Sequence, residues 1–133
     1  MLYILSQLNG FKMQNNDEYF QFIFIGNAEK CLSSCTHVTE NSSNNNVVAD
    51  AMVNHLAHEI AETITDPKEK DHNGWKTPIS RAEIADKCAY QFGEKTLNNG
   101  KSNIQLGSKY FLIQQLWLNG RDGNTGNCVM STD

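Results

Sequence analysis

No run of apolar residues in this 133-residue chain reaches the length of about 18 that a membrane-spanning helix needs. The longest are the short stretches around Phe20 to Ile25 and Tyr110 to Leu118. Basic charge is also scarce: 11 Lys and Arg against 15 Asp and Glu leave a formal charge of -4. A broad basic surface for a phosphate backbone is therefore excluded, and nucleic acid with it. There is no internal repeat, no serine or cysteine elbow beside a histidine and no phosphate-cradling glycine loop, so nucleophilic hydrolases and nucleotide enzymes lack their residues. The opening Met1-Leu2-Tyr3-Ile4-Leu5 has no basic head and is interrupted by Gln7, Asn9 and Gly10. It reads as a strand and not as a secretion signal. Cytosolic residence, or a chain whose natural beginning is missing, is the expectation from those residues alone.

At 15.0 kDa and 39% apolar residues, the chain has material for one domain with its own core, taken as residues 1–133. Sixteen asparagines cluster in segments such as Asn41 to Asn46, where the short amide competes with the backbone for hydrogen bonds, and these read as connectors. Four cysteines, Cys31, Cys35, Cys88 and Cys128, allow three pairings that sequence does not rank. Proximity favours Cys31 with Cys35, leaving Cys88 to tie the Gly- and Asn-rich tail through Cys128. Four reduced thiols remain the alternative. A zinc site of all four thiolates is disfavoured, because structural zinc ligands usually come as two close pairs. Asn41-Ser42-Ser43 fits a glycosylation acceptor.

Glu18 to Ile25 is rich in aromatic and β-branched residues and ends at Gly26-Asn27, the pattern of a strand and its turn. Val47 to Thr65 has helical periodicity, with Asp50 a candidate cap for its main body and Asp66-Pro67 a stop, since a residue before proline avoids the helical region. A shorter helix is expected from Ser80 or Arg81 to about Phe92, with Ser80 and Glu83 as a capping box. Tyr110 to Leu118 reads as a late strand. Strands, then helices, then a strand indicate an α+β domain.

The long helix carries His58-Glu59-Ile60-Ala61-Glu62. At about 3.6 residues per turn, His58 and Glu62 project side by side, with His55, Glu59 and Asp66 close to the same face. Val53, Leu56, Ala57, Ile60 and Ile64 fall opposite and are expected to be the buried stripe. From Cys31 through Pro67 no Lys or Arg is present to pair with Asp50, Glu59, Glu62 and Asp66. A divalent cation would relieve that one-signed face.

The segment resembles the zinc peptidase helix H-E-x-x-H, with Glu62 in place of the second histidine. In zincins whose third ligand is a glutamate, that residue opens an E-x-x-x-D segment further along. Glu83-Ile84-Ala85-Asp86 stands here with a spacing one residue shorter. The resemblance implies His58, Glu62 and Glu83 as metal ligands and Glu59 as general base on a water. Asp86 would orient the imidazole, with Asp66 another supporting group. The competing role for Glu83 is the capping box. Trp75 is a cleft candidate, although a loop tryptophan is more often a plug.

The ordered set Phe24 to Cys31, the Cys31-x3-Cys35 pair, Ala57 to Pro67, Trp75, Glu83 to Cys88, and the Phe111 to Trp117 stretch before Cys128 resembles the phosphate-induced, EXORDIUM-like family over most of residues 20–128. That likeness implies an extracellular protein of the plant cell wall or apoplast, linked to growth, cell expansion and nutrient response. Its members usually begin with a signal peptide and a longer, cysteine-bearing N-terminal region, so a fragment or shortened relative is expected here.

The resulting expectation is a secreted α+β domain: a small, mostly antiparallel sheet on one long and one shorter helix, with a zincin-like core. It would bind Zn2+, with Ca2+ or another divalent ion as alternatives, and hydrolyse peptide bonds. The alternative is a non-catalytic extracellular interaction protein, with a peptide or cell-wall component as partner in either case. The sequence sets no oligomeric state.

Overall fold

A computed structural model describes residues 7–12, 19–35, 42–67, 74–77, 80–120 and 125–130, with backbone alone over 7–12, 19–21 and 34–35. The aromatic and β-branched run becomes strand β2 (Tyr19–Phe24), paired antiparallel with β1 (Gln7–Lys12), Gln7 opposite Phe24 and Lys12 opposite Tyr19. The strand expected over Met1 to Leu5 lies outside the described residues. A 3-10 turn, Ala28–Lys30, follows, with Asn27 Oδ1 accepting from the Glu29 amide at 2.8 Å. It leads into a single helical turn, α1 (Leu32–Cys35).

Helix α2 spans Val47–Thr65. Its cap is Asn46, whose Oδ1 accepts from the Ala49 amide at 3.0 Å, and not the expected Asp50. Asp50 sits one turn further in and accepts from Ser42 Oγ at 2.6 Å and from Asn44 through its backbone amide at 3.0 Å and Nδ2 at 2.7 Å. Burial disfavours its charge, but these donors outweigh that and hold its carboxyl below the usual range. Asn44 Nδ2 also donates to Tyr110 O at 2.6 Å, so the same amide fastens the helix start to the C-terminal half. At the other end Pro67 stops the helix after the Asp66 amide has reached Glu62 O at 2.7 Å.

The helix expected from Ser80 to Phe92 does not form. Arg81 and Tyr90 adopt φ of 59° and 63°, left-handed values that break a right-handed helix at both ends. Between them lies only a 3-10 turn, Asp86–Cys88. Ser80 Oγ is engaged by Thr77 Oγ1 at 2.5 Å, and the Glu83 amide meets Asp86 Oδ2 at 3.4 Å, so the capping box is replaced by a local knot of side chains.

The late strand is also broken. Strand β3 (Ile104–Leu106) pairs antiparallel with β4 (Lys109–Phe111), and β5 (Leu116–Asn119) with β6 (Gly126–Val129). Between β4 and β5 the amides of Ile113, Gln114 and Gln115 leave the ladder for Asn103 Oδ1 (2.9 Å), Asn54 Oδ1 (3.1 Å) and Gln91 O (2.7 Å). The described strands thus form three two-stranded antiparallel ladders around α2, an α+β arrangement.

Cys88 and Cys128 form a disulfide across 40 residues of chain, fixing β6 to the Asp86–Cys88 turn. Cys31 is likewise oxidised, and no free thiol occurs among the described residues. The Cys35 side chain, expected to be its partner, lies outside the described residues. Among the described residues the buried apolar cluster is Ala28, Ala51, Phe92 and Leu112, with Leu32 and Val47 packed against them. Polar groups fill much of the remaining interior, namely Asp50, Asn54, Glu59, Glu62, Asp66, Ser102 and Gln114.

Helix α2 is therefore oriented opposite to expectation. Its carboxylate face points inward, while Leu56, Ile60 and Ile64 are exposed, Ile64 at 73%. The physical reason is that donors from the preceding loop and donors and cations from later segments meet the polar face after burial.

Candidate functional site

The helical rise places His58, Glu59 and Glu62 on the inward face of α2, and one ligand atom from each lies within 4.8 Å of the other two. A second set at the same spacing contains Glu62, Glu83 and Asp86. Glu62 is common to both sets, whereas His58 and Glu83 fall in different ones. His58 Nε2 is 3.0 Å from Glu62 Oε1 and 3.5 Å from Asp86 Oδ1. The Asp86 amide also donates to Glu62 Oε1 at 3.3 Å, so the 3-10 turn is anchored directly on the helix.

Burial disfavours a charged imidazole at His58, yet the bonds to Asp86 and Glu62 outweigh it and push the pKa up to about 10. Asp86 is held below the usual carboxylate range by the same contact with His58. At neutral pH His58 is thus an imidazolium between two carboxylates.

A second cation stands beside the first. Lys76 Nζ lies 2.8 Å from Asp66 Oδ2 and 3.8 Å from Glu83 Oε1. Asp66 is 0% exposed and neither carboxylate oxygen has a well-aligned hydrogen-bond donor, so the Lys76 contact is an ion pair without hydrogen-bond geometry. The chain returns closely here: the Trp75 amide donates to Thr65 O at 3.0 Å, and a Cβ on Gly74 would overlap the Asp66 carboxylate and Cα. Burial, contact with the Asp66 carboxylate and the charge of Glu62 push the Glu83 carboxyl up to about 7, against the opposing pull of Lys76. The described cluster thus has His58 and Lys76 facing Glu62, Asp66, Glu83 and Asp86, with a proton on Glu83 below neutrality.

The structure accordingly brings His58, Glu59, Glu62, Glu83, Asp86 and Asp66 into one neighbourhood. Asp86 contacts the imidazole on Nε2, the edge that faces Glu62. Glu83 faces Lys76 and Asp66. Glu59 is 4% exposed. Trp75 is partly buried and joins the site through its backbone alone among the described bonds.

Lys76 and Gln114 were not legible as site residues. Lys76 is one of several lysines after Pro67 and no spacing marks it. Gln114 had a signal: with Gln115 it interrupts the apolar run Tyr110 to Leu118, where an unpaired amide would be costly.

An inward-facing His and carboxylate cluster on a long helix, clamped by a disulfide-bound turn, defines a small α+β domain with a polar interior. The chain belongs to the family of the phosphate-induced protein 1 conserved region, which it matches over residues 6–117. This is the EXORDIUM-like family. No curated protein and no solved structure matches the chain. No helix among the described residues is long and apolar enough to cross a membrane.

Proposed function

We propose that this protein is an extracellular, non-catalytic member of its family that binds one divalent cation at the inward face of α2. The observation that carries the reading is the convergence of His58, Glu59 and Glu62 ligand atoms within 4.8 Å, with Glu62 shared by the Glu83 and Asp86 set. The donor set suits Zn2+: bonds of about 2.0–2.2 Å in a tetrahedral site put neighbouring ligand atoms about 3.4 Å apart. The 3.0 Å between His58 Nε2 and Glu62 Oε1 is close to that. Ca2+, which takes more oxygens, is the alternative ion for the carboxylate-only set. His58, Glu59 and Glu62 would hold the ion, with Asp86 and Asp66 supporting them, while Glu83 belongs with Glu62 and Asp86 to the carboxylate-only set. The oxidised Cys88, Cys128 and Cys31 support residence outside the cell, where disulfides persist. A peptide or cell-wall component is the corresponding partner.

Burial of Glu59 and Glu62 favours a holding role, since catalytic zinc sites keep an open position. The hydrolase reading, with a zincin-like helix, draws on one observation: Glu59 shares the ligand neighbourhood of His58 and Glu62. A bound zinc would there supply Lewis acidity to a water, and Glu59 would accept its proton.

Calorimetric titration of chelator-treated protein with Zn2+ and with Ca2+ tests the proposal. One equivalent should bind with proton release, because His58 must give up its proton, and affinity should rise with pH. Glu62→Gln should abolish binding. Wild-type protein that takes up neither ion ends the metal reading and leaves a purely ionic network. Metal uptake with peptide cleavage that disappears in Glu59→Gln would replace the non-catalytic reading with the hydrolytic one.

A further inference from the structure

Gln114 is 4% exposed and makes three described hydrogen bonds. Its backbone amide donates to Asn54 Oδ1 at 3.1 Å, which ties residue 114 to the inward face of α2 one turn before His58. Its side-chain Nε2 donates to Ala85 O at 2.8 Å, and its Oε1 lies 3.2 Å from His58 Nδ1. A carbonyl oxygen such as Ala85 O can only accept, so the NH2 end of the amide must face it and the oxygen end must face the ring. An amide oxygen also only accepts. The proton between Gln114 and His58 therefore belongs to Nδ1.

We infer that Gln114 is a positioning residue that keeps a proton on Nδ1 of His58 both in the imidazolium and in the neutral ring that binds metal, and so leaves Nε2 as the ring atom offered to a divalent cation. The other edge of the ring fits this: Nε2 faces Glu62 Oε1 and Asp86 Oδ1, the carboxylates of the candidate ligand sets. Ala85 lies in the turn that also carries Asp86, so one amide sets the tautomer of His58 and the placement of the acid across from it. A metal-bound histidine ordinarily donates its remaining ring N–H to such an acceptor, which fixes the ring and raises its basicity. The inference rests on the metal reading for its purpose, but the position of the proton stands on the hydrogen bonds alone.

The test is long-range proton–nitrogen correlation NMR on the full 15N-labelled chain, with and without one equivalent of Zn2+, in wild type, Gln114→Leu and Gln114→Glu. Wild type should show a slowly exchanging Nδ1–H at His58 before zinc is added, and zinc on Nε2 afterwards. Gln114→Leu should lose the slow exchange and bind zinc roughly 10–100-fold more weakly. Gln114→Glu keeps an acceptor and should keep the Nδ1–H, which covers the case in which the leucine variant does not fold. Zinc bound through Nδ1 in wild type, or a folded Gln114→Leu that matches wild type in both readouts, overturns the inference and leaves the metal reading intact. A protected Nδ1–H in a wild type that takes up no zinc sinks the metal reading and upholds the proton assignment.

Discussion

Glu83 shows how a charge of ordinary type is altered by its company. Its carboxyl titrates at about 7, against an ordinary value of 4.5, because burial, Asp66 and Glu62 disfavour the anion more than Lys76 favours it. The folded state therefore holds a proton that the unfolded chain releases at lower pH. Stability from that proton is complete below 4.5 and is lost as pH rises through about 7. Glu83→Gln, which mimics the neutral acid, should melt higher than wild type at pH 8 and at nearly the same temperature at pH 4. An equal offset at both values would refute the raised pKa. His58 adds a second, higher window. Its folded pKa of about 10 against 6.5 gives stability that is full below 6.5 and declines as pH rises towards 10. His58→Gln should therefore cost most in the acid part of its folded range, and a pH series of thermal melts reads both effects.

Among the elements, α2 was the most legible. Its period, the Asp66-Pro67 stop and the absence of glycine and proline within Val47–Thr65 mark the helix that is observed. What the sequence did not carry was which face turns inward. Leu56, Ile60 and Ile64 look like a core stripe until Lys76, Gln114 and the Asp86 turn supply partners to the opposite side, and those partners lie far along the chain without a marking pattern. The segment after Ser80 failed for a local reason, since left-handed backbone at Arg81 and Tyr90 overrode a plausible cap. The late strand failed at Gln114, the residue drawn out of its ladder by the helix. Gly74 links two elements through lack of a side chain, lying against Asp66 at the end of α2. Gly74→Ala should cost roughly 1–3 kcal/mol, the usual range for overpacking, as read by denaturant unfolding. An unaffected midpoint would mean that the loop moves away from Asp66 without penalty.

Among the described residues, apolar side chains share the interior with acids, amides and cross-linked sulfur. The family assignment and the α+β class were legible because they depend on ordered local motifs, while the site depended on contacts between segments remote in sequence. The Cys88–Cys128 bridge closes a long loop of chain. For a loop of 40 residues the chain-entropy relation gives about 4 kcal/mol of stabilisation. Cys88→Ser with Cys128→Ser should lower unfolding free energy by roughly 2–4 kcal/mol in urea titration, and the loss should extend to the site because Asp86 sits in the same turn as Cys88. A double variant of wild-type stability would show that the ladders hold the tail without covalent help.

The inward carboxylate face of α2 has a consequence for synthesis. During translation the helix emerges before Lys76, Asp86 and Gln114 have been made, so its acids repel one another while none of these three partners yet exists. A helix in a folded protein draws most of its stability from the packing of its inward face and little from its own propensity. Stable helicity in this stretch should thus arrive only after the ribosome has released residue 114, making the C-terminal half the event that triggers folding of the first.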